Sequence, residues 1–362
     1  MSPVFRFAPH RVGWVDIAKG ICILFVVMMH STLGVEAAMG ATGFLHGLTA
    51  FAKPFRMPDF FLLSGLFLGL TIERPWRLYF DRKVVHFVYF YVLWLTIQFG
   101  FKAPFTAMEQ GGAVALQGYL MAFVEPFGTL WFIYILPLFF LLTRALRTLP
   151  KAWVFAWAAW LSVLPVATGW LLIDEFAARY VYFFAGYACA PLIFQAAAWV
   201  DRNRRAGLVF LALWAVVNAA LVFLPLTPGL QAFAERPSEL PFVGLGLGFA
   251  GALAIVSAAA LLNGRTGLVA RFFRHAGEHS IVVYLAFFLP MALTRTLLVS
   301  LAPGLGAGLI SLLVTLAAVA GPLILYRLIG ATGYGRFLFA RPAWAITASR
   351  DAAAKTAPAP VA

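Results

Sequence analysis

Three ionisable side chains share the first long apolar stretch, WVDIAKGICILFVVMMH, and their types and spacing suit proton transfer. Lys19 and His30 are eleven residues apart, about three turns of an α-helix, so both point the same way. Asp16 stands one turn before Lys19, on nearly that face. One stripe thus carries a carboxylate and an ammonium near one end and an imidazole about 16 Å deeper. Imidazole changes charge near neutral pH, which suits His30 to take a proton from a hydroxyl as a general base. A plainer reading stays open, with Asp16 and Lys19 as an ion pair at the membrane edge and His30 hydrogen-bonded in the core.

The second stretch, FAKPFRMPDFFLLSG, places Lys53, Arg56 and Asp59 at i, i+3 and i+6 before Ser64–Gly65, with Pro54 and Pro58 interrupting its start. In a functional reading these charges line a polar cavity near His30, open to the outer face. Asp59 would orient the imidazole, as carboxylates often do, while Lys53, Arg56, Asp16 and Lys19 would meet a substrate. In the alternative, Lys53 and Arg56 snorkel to the interface with Asp59 as counter-ion. The next connection, RPWRLYFDRKVVH, concentrates Arg74, Arg77, Arg82 and Lys83. It reads either as an ordinary basic loop or as a clamp for an anionic cytosolic donor such as a CoA thioester, whose phosphates suit Arg and Lys. No GxxxxGK[ST] loop supports a nucleotide triphosphate instead. Glu278, His279 and Ser280 open a later apolar stretch and either cap its helix or line the donor path. Trp131, Tyr134 and Tyr284 read as packing and interfacial anchors, and Cys22 and Cys189 as packing residues.

The elements that must position these groups are membrane helices. Of 362 residues, 63% are hydrophobic and 11% charged, too little polar surface for a soluble chain of this length. Within a bilayer only helices or a closed barrel satisfy the backbone, and apolar runs of about 17–25 residues without period-two alternation argue for helices. The expectation is an all-α polytopic protein of about ten spans: 17–35, 47–72, 84–101, 128–143, 153–173, 180–199, 207–224, 241–262, 280–300 and 306–327. Residues 1–16 form a cytoplasmic N-terminus, 17–330 one membrane domain and 331–362 a disordered cytoplasmic tail. Segment 102–127 has room for an interfacial helix. Asp16 and Lys19 argue against a cleavable signal peptide, so the first span stays as an anchor.

The net charge of +13 is a topology signal, not a nucleic-acid surface. With both termini inside, the cytoplasmic side collects Arg6, Arg11, Lys19, the 74–83 cluster, Arg144, Arg147, Lys151, Arg202, Arg204, Arg205, Arg265, Arg271, Arg274 and the tail. The outer side holds Lys102, Arg179, Arg236 and Arg295. That segregation follows the positive-inside rule and favours an even number of spans.

Four passages, HRVGWVDIAKGICILFVVMMH, MPDFFLLSGLFLG, TLWFIYIL and GEHSIVVYL, occur in the order of landmarks of the membrane acyltransferases called acyltransferase type three. The chain resembles that family from about residue 10 to residue 290. The family includes O-antigen and Nod-factor sugar acetylases and osmoregulated-glucan succinylases. The Asp-x-x-Lys-Gly form looks most similar to the branch containing fucose acetylases. The resemblance implies a bacterial inner-membrane enzyme that moves an acyl group, usually acetyl, from cytosolic acyl-CoA to a hydroxyl of a carbohydrate or glycolipid across the membrane. It carries functional importance to His30 and Lys19, and donor binding to Arg82 and Lys83. Lys19 stands where many relatives have arginine, and Asp59 where many are apolar. The ninth span reads YLAFF where relatives commonly carry a histidine, which leaves His30 as the candidate base. A transporter or flippase for a polar lipid or sugar is the alternative that buried charges alone would equally support.

Overall fold

The computed structural model describes residues 12–229, 231 and 234–348. Arg6 and Arg11, and the tail beyond 348 with Arg350 and Lys355, lie outside the described residues. Sixteen α-helices follow one another: α1 (Gly13–Met39), α2 (Leu45–Ala52), α3 (Arg56–Gly65), α4 (Trp76–Phe80), α5 (His86–Gln110), α6 (Gly112–Met121), α7 (Trp131–Ala145) and α8 (Lys151–Val163). The second half runs α9 (Leu171–Ala188), α10 (Ala190–Arg202), α11 (Arg204–Phe223), α12 (Pro241–Asn263), α13 (Leu268–Glu278), α14 (Ser280–Ala286), α15 (Phe288–Leu301) and α16 (Gly306–Thr332). Among the described residues there is no strand. A π-helical turn, Asp81–Val85, splices α4 onto α5.

Six of these segments are long and apolar enough to cross a membrane, or eight when the bent pairs α9–α10 (74°) and α14–α15 (53°) each count as one span. The expected segments 47–72 and 153–173 are helical too, but as shorter pieces. Proline accounts for most of the breaks, because it removes the N–H that the carbonyl four residues earlier needs. Pro54 separates α2 from α3, Pro191 follows the α9–α10 bend, and Pro290 follows the α14–α15 bend. Helix α8 stops before a bend around Pro165 and Gly169, the latter at φ +82°.

Helix α1 is the axis of the bundle and packs against α2, α3, α12, α13, α14, α15 and α16. Its closest crossing is with α13: a Cβ on Gly20 would land on the Phe273 carbonyl oxygen, and one on Gly277 on that of Asp16. The same reciprocal arrangement joins α3 to α9, where a Cβ on Gly65 would strike the Phe183 carbonyl and one on Gly186 that of Leu62. In a bilayer, helix association depends on such close backbone approach because lipid is as apolar as leucine.

The start of the C-terminal tail departs from the expected disorder. Arg341 donates to both carboxylate oxygens of Asp81, at 3.1 and 2.8 Å, and the Thr347 amide and hydroxyl donate to Asp81 Oδ1 at 2.8 and 2.9 Å. Trp94 Nε1 donates to the Leu338 carbonyl at 3.0 Å. The Ala- and Pro-rich composition hid these few polar anchors, each of which needs a partner about 250 residues earlier.

Replacing Gly65 or Gly186 by alanine is expected to destabilise the protein by about 1–3 kcal/mol, because backbone must move to admit the methyl group. Gly246→Ala, where a Cβ meets open space, should leave stability unchanged or slightly raised. Thermal unfolding of the solubilised variants reads the difference, and equal midpoints for Gly186→Ala and Gly246→Ala would remove this account of the crossing.

Candidate active site

The site is built where the backbone of the second stretch is broken. Pro54 has no N–H, so Lys53 N bonds to the Ala50 carbonyl at 3.1 Å and Phe55 N to that of Ala52 at 3.2 Å. The carbonyls of Thr49 and Phe51, which would have received those two amides in an unbroken helix, are thereby freed. Arg56 Nη1 takes the first at 3.3 Å, and Asn218 Nδ2 of α11 takes the second at 2.9 Å. A proline thus turns a backbone deficit into an anchor for a guanidinium inside the bundle.

Arg56 stands between two cavities. The smaller, of about 190 Å³, is lined by His30, Met29, Arg56, Met57, Thr129, Trp131, Glu175, Arg179 and Tyr284 with apolar neighbours. The larger, of about 810 Å³, lies at the end of α1 that carries Leu33, and Lys53, Arg56, Arg179, Tyr182, Arg236 and Glu239 face it. Because Arg56 and Arg179 belong to both walls, the two cavities adjoin, the larger as a vestibule beside the smaller. Arg179 is held by Glu175, Nε to Oε2 at 2.9 Å, and Lys53 by Glu239 at 3.5 Å. Tyr284 donates to the Thr129 carbonyl at 2.5 Å, which ties two residues of the smaller cavity's wall together.

His30 is partly buried, its ring 5.6 Å from that of Phe287. Among the described residues no protein group hydrogen-bonds either of its nitrogens. Its imidazole therefore faces the cavity with both nitrogens uncommitted, one of them a lone pair that can accept a proton.

The structure brings His30, Arg56 and Lys53 to two adjoining cavities and leaves other expected site residues elsewhere. Asp59 is 1% exposed, and neither carboxylate oxygen has a hydrogen-bond partner. It lies within electrostatic reach of Cys22 and Tyr182 and lines neither cavity, so it does not orient His30. On the helix Asp59 is offset from Arg56 by about 60° and nearly one turn, enough to bury it on the side of Cys22 of α1 and Tyr182 of α9. Asp16 and Lys19 sit at the opposite end of α1, beside the α13 crossing at Gly20. Arg74, Arg82 and Lys83 lie within electrostatic reach of one another. Burial, and then Arg82, lower the Arg74 guanidinium from its usual range. Arg144 stacks over the Trp76 and Tyr79 rings at 4.8 and 4.3 Å and donates to the Arg74 carbonyl at 2.8 Å, which shapes this turn.

A family model described as an acyltransferase domain matches residues 12–327, most of the chain. The chain belongs to the acyltransferase 3 family. As a member of that family it is a membrane acyltransferase, moving groups other than amino-acyl groups. No curated protein and no solved structure matches the chain. Two vestibule residues of this acyltransferase 3 protein, Arg179 and Arg236, escaped the sequence reading because they were counted only as topology. A signal was present: of the four basic residues that the positive-inside reading assigns to the outer side, two, Arg179 and Arg236, face the vestibule.

At the other end, Asp81 is nearly buried and its carboxylate is compensated by Arg341. Asp81→Asn should release the 341–348 segment from the basic turn, since breaking a buried pair costs about 3–5 kcal/mol. Limited chymotrypsin digestion checks this: cleavage after Trp344 should be at least about tenfold faster than in wild type, and unchanged protection would show that other contacts hold the segment.

Proposed function

We propose that this protein is an O-acyltransferase that takes an acyl group, most simply acetyl, from cytosolic acyl-CoA and delivers it to a hydroxyl of a periplasmic or lipid-linked carbohydrate. The observation that carries the reading is His30, with neither nitrogen bonded, facing a cavity that shares Arg56 and Arg179 with an 810 Å³ vestibule. A vestibule of that size suits a polar acceptor, and the smaller cavity suits the reacting hydroxyl and a short acyl group. The finer membrane picture is ten crossings of a bacterial inner membrane with both termini inside, supported by the basic residues gathered at one end. An acceptor of the fucose or Nod-factor type fits the form of the first motif.

In the proposed step His30 takes the proton of the acceptor hydroxyl while that oxygen attacks the thioester carbonyl. The new carbon–oxygen bond forms as the carbon–sulfur bond breaks, and CoA leaves as the thiol after receiving the proton from the imidazolium. Arg56 and Lys53 hold the acceptor. Arg74, Arg77, Arg82 and Lys83 meet the donor's phosphates as charge-assisted partners, and Lys19 and Asp16 line the donor's side of α1. Asp59, which makes no bond to His30, has no role in this step.

Mass spectrometry of surface glycans and glycolipids tests the reading in a deletion strain complemented with wild type or with His30→Ala. Wild type should restore an acyl mass increment that deletion removes, and His30→Ala should restore it about 10²–10⁴-fold more slowly. Full restoration by a well-folded His30→Ala protein would show that another group is the base.

A further inference from the structure

The vestibule carries a charge imbalance that a neutral sugar would leave unanswered. Four cations face it, Lys53, Arg56, Arg179 and Arg236, against one carboxylate among the described wall residues, Glu239. Lys53 is matched by that Glu239, and Arg179 by Glu175 of the adjoining cavity. The remaining two are held by backbone carbonyls alone: Arg56 by Thr49 at 3.3 Å, and Arg236 by Val222 and Phe223 at 2.9 and 3.1 Å. Among the described residues neither forms an ion pair, and Arg56 Nε is buried with no partner at all. Carbonyl bonds satisfy some of a guanidinium's five N–H groups but do not neutralise its charge; Arg56 is half-buried, where a charge without an ion pair of its own is costly, and Arg236 stands exposed at the vestibule.

We propose that the acceptor is anionic, bearing a phosphate or carboxylate on or next to the sugar to be acylated, and that Arg56 and Arg236 bind this group. The inference rests on the transferase reading above and names its substrate class. Guanidinium matches both anions, through paired N–H donors. Arg56 belongs to both cavities, so an anion held there sets the neighbouring hydroxyl towards His30. Arg236 lines the vestibule but not the smaller cavity, on the loop between α11 and α12, and is placed to draw the charged acceptor inwards.

The test uses the full-length protein in nanodiscs of zwitterionic lipid and three probes: glucose 1-phosphate, glucuronate and methyl glucoside. Saturation-transfer NMR reads their relative affinities. At least one anionic probe should bind about tenfold or more tighter than the glucoside, in keeping with a charge-assisted hydrogen bond, and which one does so separates phosphate from carboxylate. Arg56→Gln and Arg236→Gln should each reduce that preference, while Arg56→Lys, which keeps the charge, should retain part of it. Raising the ionic strength on wild type should weaken the anionic probe and not the glucoside, a measurement that needs no variant to fold. Equal binding of all three probes, or a preference that survives both glutamine variants, overturns the proposal. A protein that acylates glycans yet treats the three probes alike keeps the enzyme reading and loses this one. An anion preference in a protein that changes no glycan does the reverse.

Discussion

Two helix crossings, each closed by glycine against a neighbouring carbonyl, set the positions of the functional groups. At Gly65 and Gly186, α3 and α9 approach until no side chain fits between them, and this puts Arg56 of one beside Arg179 of the other. At Gly20 and Gly277, α1 and α13 do the same, fixing the helix that carries His30. Dispersion over such close backbone contact is what a bilayer offers in place of the hydrophobic effect. A methyl group at any of the four would move a backbone that positions the site.

The break at Pro54 works on the same economy of polar groups. Carbonyls without partners are costly inside a membrane, so the two that the proline frees recruit Arg56 and Asn218. The guanidinium is thereby held within the bundle by the defect that admits it. Among the described residues Arg56 forms no ion pair of its own, Glu175 within its electrostatic reach being bonded to Arg179, whereas Asp81 and Arg341 are paired directly.

The molecule is polarised along α1. One end carries the basic turn at Arg74, Arg82 and Lys83, with the first part of the tail strapped to Asp81 beside it. The other carries the vestibule, with His30 in the small cavity behind it. The single helix bearing both Lys19 and His30 spans the interval.

The amino-acid sequence by itself determined the solvent, the helical class and the family, because long apolar runs and ordered local motifs are read along the chain. It also singled out His30, Lys53 and Arg56, since ionisable groups in apolar segments are rare enough to notice. Tertiary structure decided the partners. Asp59 shares a helix with Arg56, yet a fraction of a turn sends it into packing rather than towards His30. Arg179 and Arg236 join the site from helices and loops more than a hundred residues away, and the tail binds Asp81 across some 260. Contacts across such separations depend on which helix faces which, and here that is set by glycines whose role shows only when the opposing carbonyl is in place.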